Sequence, residues 1–364
     1  MEKVNKLNCI ELFAGAGGMG TGFIKEGFNI IVANDILEDC AKTYVINHPN
    51  TKYIVKDISQ ITSKDLLANT KYTKNDIDII IGGPPCQGFS TLGKRFIDDP
   101  RNRLFKEYVR IVEDINPKIF VMENVVGILT MEQGKVLENI LSSFYKIGYK
   151  VEYKILNSAE YGVPQIRERV IFIGTRLNID INFPKKTHSF IKNDETHTVI
   201  TLAEAIGDLP INDIEEIKEY KTKPQNEYQS MIRNNNKTIT NHKPSIHSEK
   251  ATKMMKYIPE GKSVWEVNLP EELRPTSGYG NTYARLDSKI PGMTITRNFS
   301  CISSSRCIHP FANRGLTIRE AARIQSFPDT YIFKGAKTSM QLQIGNAVPP
   351  VLAQNIAKKI KEML

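Results

Sequence analysis

Short apolar runs recur through the first half of the chain, and segments with apolar residues at helical spacing separate many of them. Cys9–Phe13, Asn29–Asn34, Lys52–Val55, Ile77–Ile81, Lys118–Met122, Tyr149–Leu156 and Val170–Gly174 read as strands. Glu38–Asn47, Leu104–Ile115 and Val136–Ile147 read as amphipathic helices. Buried strands alternating with such helices predict an α/β fold, a doubly wound and mostly parallel sheet covered on both faces. Ligands of these sheets bind outside the carboxyl ends of the strands. Functional residues should therefore stand where strands end.

The pattern changes after about Phe183. The stretch 184–316 loses the alternation and is rich in Asn, Lys, Ser and Thr. Helical spacing returns at Ile318–Gln325 and Val351–Leu364. Two domains are expected: 1–183 completed by 340–364, and a smaller, irregular domain with a hinge over 184–339. A length of 364 residues suits that division. With 40% hydrophobic and 24% charged residues the chain has the composition of a folded protein. It contains no run of about 18 apolar residues and opens without a signal-peptide pattern, so a cytoplasmic protein is expected. Five cysteines without a CxxC pair argue against a disulfide framework or a zinc site. The net charge of +9 is concentrated: residues 221–318 hold fifteen Lys and Arg against seven Asp and Glu. Residues 181–220 hold four against eight. The basic stretch favours an anionic partner, or is simply a solvated surface.

Three strand ends carry candidate chemistry. After the first strand, Phe13-Ala-Gly-Ala-Gly-Gly-Met-Gly20 leads into a helix, a turn where backbone can approach a ligand. Gly15, Gly17 and Gly20 also fit GxGxxG, which leaves a dinucleotide open. Asp35 closes the second strand, where a carboxylate can accept from ribose hydroxyls, and Asp57 follows the third. After the fourth, Gly82-Gly-Pro-Pro-Cys-Gln-Gly-Phe-Ser90 holds Cys86 on a stiff loop, suited to a nucleophile. The fifth ends in Glu123-Asn-Val125, a proton donor or a helix cap. Arg167 and Arg169, in Gln165-Ile-Arg-Glu-Arg169, could hold an anion or pair with Glu168.

Taken together, FAGAGG at 13–18, GGPPCQGFS at 82–90, ENV at 123–125, QIRER at 165–169, REAARIQSFP at 319–328 and GNAVP at 345–349 resemble the DNA (cytosine-5) methyltransferases, in order and spacing. The resemblance implies the S-adenosylmethionine-dependent methyltransferase fold. It places Phe13, Gly15, Gly17, Asp35, Asp57, Ile58, Pro84 and Asn346 around S-adenosyl-L-methionine. It makes Cys86 the nucleophile on cytosine carbon-6 and Glu123 the partner of ring N3, with Arg167 and Arg169 holding the base and ordering the catalytic loop. No metal is needed, because the donor is already activated. The basic stretch falls in the family's target-recognition region, so the expected partner is double-stranded DNA. The target base must leave the stack to react, and Gln87–Arg103, with Lys94, Arg95 and Arg101, is expected to close over it. Arg297, Arg306 and Arg314 are candidate DNA contacts. Lysine exceeds arginine 34 to 15, in keeping with an AT-rich bacterial or phage genome. A monomer is expected, in a restriction–modification system with a companion endonuclease, or alone. A transfer-RNA cytosine-5 methyltransferase and a nicotinamide-dependent oxidoreductase are the rival readings.

Overall fold

The computed structural model describes residues 6–85, 103–211, 218–278, 280, 282–303 and 307–364. The chain forms two compact units. One comprises Met1–Asn157, Glu168–Lys185 and Leu352–Leu364; the other comprises Ser158–Arg167 and Lys186–Val351. This division differs from the expected boundaries at Ser158–Arg167 and at 340–351, which group with the second unit. The reason lies in long-range hydrogen bonds such as Gln165 Nε2 to the Gln325 side chain and Arg167 to the Gly345 carbonyl.

The first unit is built on a seven-stranded sheet: β1 Asn8–Leu12, β2 Asn29–Asp35, β3 Lys52–Val55, β4 Ile79–Gly82, β5 Ile119–Val125, β6 Lys150–Asn157 and β7 Glu168–Thr175. The order is β3-β2-β1-β4-β5-β7-β6. All seven expected strands form. The first five are parallel, whereas β7 runs antiparallel to both β5 and β6. The order reverses between β1 and β4, so their carboxyl ends flank the switch point where such sheets bind ligands. Leu12 lies opposite Gly82, and Gly82 opposite Met122, which brings three loops out at one level.

The helices of this unit are α1 Gly18–Lys25, α2 Glu38–Asn47, α3 Ser63–Leu67, α4 Arg103–Ile115 and α5 Lys135–Lys146. Strand alternation decides which residues they cover. Ile10, Leu12, Ile80, Phe120, Met122, Val170 and Phe172 pack with Tyr108, Ile111 and Val112 of α4 and with Val136, Ile140 and Phe144 of α5. Each fully buried side chain of this kind contributes about 1.5–3 kcal/mol. Glu11 points the other way, toward α1 and α2.

Among the described residues the second unit has short helices, α6 Leu202–Ile206, α7 Glu227–Arg233, α8 Glu249–Met255, α9 Ile318–Ile324 and α10 Lys337–Asn346, and two small two-stranded sheets. The last helix, α11 Pro350–Met363, returns to the first unit, where Gln354 and Lys361 bond Glu26. Charged groups hold much of the second unit's interior. Arg285 donates to the carbonyls of Met255 and Ile258 (both 2.6 Å), His309 and Ala312 (both 2.7 Å) and to the Asn313 side chain (2.7 Å). All seven residues of α9 are buried, Arg319, Glu320 and Arg323 included. Among the described residues, no helix is long and apolar enough to cross a membrane.

Candidate active site at the carboxyl edge of the sheet

Phe13 leaves β1 with φ +53°, followed by Gly15 at +52° and Gly17 at +86°. At Gly15 a side chain would meet none of the described residues within 4 Å, so they leave the loop uncovered there. The loop is pinned from below. Ala14 N–H donates to the Asn34 carbonyl (2.9 Å), and the Tyr53 hydroxyl donates to the Gly15 carbonyl (3.0 Å). Asp35, at the end of β2, accepts from Gly15 N–H (2.9 Å) and Leu37 N–H (3.0 Å). Burial raises its pKa, partly offset by those N–H groups. Ile36 N–H bonds it too, and three N–H donors still leave the carboxylate acceptor capacity for a further donor.

Asp57 caps the 3₁₀ turn Ile58–Gln60, accepting from Ser59 N–H (2.9 Å) and the Ser59 hydroxyl (2.8 Å). Ile58 is buried in the core below this turn. The Pro84 ring is buried after β4, and its carbonyl accepts from Asn124 Nδ2 at 3.0 Å. Phe13, Gly15, Gly17, Asp35, Asp57, Ile58 and Pro84 thus all stand at carboxyl ends of parallel strands of one unit. An uncovered glycine loop beside a carboxylate with spare acceptor capacity fits an adenosyl group carrying a ribose diol. Asn346 is exposed at the end of α10, in the second unit.

Glu123 ends the buried part of β5. Its side chain is 12% exposed and meets Arg169 Nε at 2.8 Å, with Arg169 14% exposed. The antiparallel register sets this up: Glu123 faces Ile171, and Arg169 is the diagonal neighbour two residues along. Arg169 also donates to the Glu168 carbonyl (2.7 Å), so its partner is Glu123 rather than the Glu168 carboxylate. Gly83 packs closely against this pair: a Cβ there would lie 3.0 Å from Glu123 Oε2. At Gly82 a Cβ would come within 2.4 Å of the Leu12 carbonyl oxygen. The two glycines therefore let the loop before Cys86 run hard against β1 and β5. Cys86 itself, with Lys94, Arg95 and Arg101, lies outside the described residues.

Arg167 is 1% exposed and donates to the carbonyls of Ile295 (3.1 Å), Gly345 (2.9 Å) and Ala347 (3.1 Å). Arg314 corrects its expectation as a DNA contact. It is 8% exposed and grips Glu320 with two nitrogens (2.8 and 2.7 Å), so its charge is spent internally. Arg297 is exposed, and Arg306 lies outside the described residues. Sequence reasoning gave no role to Asn124, although it quoted the ENV block that holds it, and missed Tyr53 and Glu11. Glu11 left a signal, a lone carboxylate inside an apolar strand; Tyr53 left none.

Comparison with known proteins agrees with this geometry. Residues 7–362 match the model of the C-5 cytosine-specific DNA methylase family. The Type II methyltransferase M1.HphI of Haemophilus parahaemolyticus is 38% identical, over 98% of this chain and 87% of its own. The Type II methyltransferase M.DdeI of Desulfomicrobium norvegicum is 40% identical, over 97% and 88%. A prophage-encoded protein of E. coli, provisionally described as a DNA modification methyltransferase, superposes with TM-score 0.78 at 27% identity, covering 98% of this chain and 99% of its own. With a family model spanning nearly its whole length, this chain belongs to the C-5 cytosine-specific DNA methylases.

Proposed function

We propose that the protein transfers a methyl group from S-adenosylmethionine to carbon-5 of a cytosine flipped out of double-stranded DNA, through a covalent adduct with Cys86. The observation that carries this reading is the Glu123–Arg169 pair, set beside Gly83 and Pro84 on the loop that leads into Cys86. Phe13, Gly15, Gly17, Asp35, Asp57, Ile58, Pro84 and Asn346 would hold the donor, with Asp35 taking the ribose hydroxyls. When bound, the donor supplies an activated methyl group on a sulfonium.

The chain's own groups do the rest. Carbon-5 of cytosine is a weak nucleophile until a thiolate adds at carbon-6 and charge on the ring is stabilised at N3. Cys86 forms the sulfur–carbon bond, and Glu123 faces N3. Arg169 orients the Glu123 carboxyl through its Nε contact. Once carbon-5 carries the methyl group, water takes its proton, the electron pair re-forms the carbon-5–carbon-6 double bond, and Cys86 leaves as thiolate. Asn124 holds the Pro84 carbonyl and so fixes where the Cys86 loop begins. Arg167, enclosed among three carbonyls, is a positioning residue for the Gly345–Ala347 segment, which contains Asn346. Residues 184–339 form the target-recognition part. The two Type II relatives point to the modification half of a restriction–modification system, with a companion endonuclease; the enzyme would act as a monomer in the cytoplasm.

Plasmid DNA incubated with S-adenosylmethionine and read by bisulfite sequencing should show 5-methylcytosine at one recurring motif. Duplexes carrying 5-fluorocytosine at that position should become covalently attached to the protein, and Cys86→Ala should abolish both signals. Methylation without trapping would refute the adduct, and methylation of transfer RNA alone would refute the DNA substrate.

A further inference from the structure

Among the described residues of the first unit, one fully buried carboxylate has no part in the mechanism. Glu11, in the middle of β1, is 1% exposed. Its Oε1 accepts from Gly20 N–H in the first turn of α1 (2.8 Å), and its Oε2 accepts from the Tyr44 hydroxyl of α2 (2.7 Å). A Cβ at Gly20 would overlap Oε2, so the helix carries glycine where it rides on this group. Tyr44 packs its ring against His48 (4.6 Å) and Tyr53 (4.9 Å). Tyr53 holds the Gly15 carbonyl, while Thr21 joins His48 (3.2 Å) and the Gly17 carbonyl (2.6 Å). Glu11 therefore sits at the root of the network that supports the Gly15–Gly17 loop.

We propose that Glu11 is a positioning residue with an electrostatic role: its buried negative charge beneath the glycine loop favours the cationic methyl donor over the neutral, demethylated product. The inference rests on the donor assignment above. No cationic side chain among the described residues offsets this charge, and the groups facing it are Tyr44 from α2, Asp35 at the end of β2 and Cys9 on β1 itself. Burial pushes Glu11 up to about 7, with Tyr44 and Gly20 N–H opposing. Burial pushes the Cys9 thiol well up and His48 down to about 4, so both are neutral near pH 7. A cation bound nearby stabilises ionised Glu11. By linkage its affinity then rises as Glu11 loses its proton, while that of a neutral ligand does not.

Calorimetric titration of the intact protein with S-adenosylmethionine and S-adenosylhomocysteine, from pH 5.5 to 8.5, tests this. The donor's sulfonium lowers the pKa of its amino group below the product's, so the ratio of their dissociation constants is compared with the same ratio in Glu11→Gln. Beyond that variant's pH dependence, the ratio should change in favour of the donor by roughly tenfold across the range, the scale of one charge–charge interaction inside protein. Tyr44→Phe, which removes a donor to the carboxylate, should move the midpoint of this difference to higher pH. The same pH dependence of the ratio in the unaltered protein and in Glu11→Gln overturns the inference even if both ligands bind tightly. Failure of either ligand to bind at any pH overturns the donor assignment and this inference with it.

Discussion

Replacing Arg323 with Met tests how far the second unit depends on buried charge. Arg323 is fully buried. It reaches both Asp329 oxygens (2.7–3.2 Å), the Asp208 carboxylate and the Ala205 carbonyl (3.0 Å). Asp208 also pairs with Arg233, while Asp329 also meets the Tyr220 hydroxyl and lies 3.8 Å from Arg319. Removing one partner of a buried pair costs about 3–5 kcal/mol, because the other charge stays desolvated. Here three arginines face two aspartates. Loss of Arg323 leaves a balanced set, so its cost should fall near about 3 kcal/mol. Asp329→Asn leaves two surplus cations and should cost more, near about 5 kcal/mol. The sign of the pH effect follows from Asp329. Burial raises its pKa, but the Arg323 and Arg319 guanidinium groups prevail and hold it below the usual carboxylate range. Its contribution is therefore full above the ordinary carboxylate pKa and lost as pH falls through the depressed one, so the Arg323→Met penalty should shrink in acid. The single tryptophan, Trp265, lies in this unit and reports its unfolding in urea by fluorescence. A penalty under about 1 kcal/mol, or an Asp329→Asn variant more stable than Arg323→Met, would refute the reasoning.

Three further outcomes follow from the site. Gly83→Ala forces Glu123 Oε2 to move by a few tenths of an ångström; turnover should fall about 10–100-fold, with the urea midpoint nearly unchanged. Asp35→Ala removes the acceptor for Gly15 and Leu37 N–H as well as a ribose partner; S-adenosylhomocysteine affinity by calorimetry should drop by about 1.5–3 kcal/mol. Lys243, Lys250, Lys256, Arg274 and Arg297 are exposed in the second unit; if at least three meet phosphates, a plot of log affinity for duplex DNA against log salt should slope at about −3 or steeper.

What the sequence made legible was local. Seven apolar runs became seven strands; the five inner ones were plain because a strand buried on both faces has little freedom in composition, while the edge strands β3 and β6 are only partly buried. The same runs put Asp35, Asp57 and Glu123 at strand ends, and that is where the structure has them. The ion pair of Glu123 was less visible. Its partner is set by the antiparallel return of β7, a register that no local pattern encodes. Arg314 misled for a related reason. An arginine among Asn, Gly and Thr reads as surface, and only the folded chain shows Glu320 waiting for it six residues along a buried helix.

The second unit escaped prediction because its order comes from few, long-range polar bonds rather than from periodic burial. Arg323 joins Asp208 across 115 residues, and Arg167 joins Ala347 across 180. Such bonds suit a unit that must present irregular loops. A guanidinium that satisfies several carbonyls at once, as Arg285 does, can fix the meeting of segments that have no shared sheet or helix face. The loops between these knots are then free to vary in sequence without loosening the frame. On the function proposed above, that arrangement would separate the chemistry, which demands fixed residues at the sheet edge, from target choice, which demands surfaces that can change.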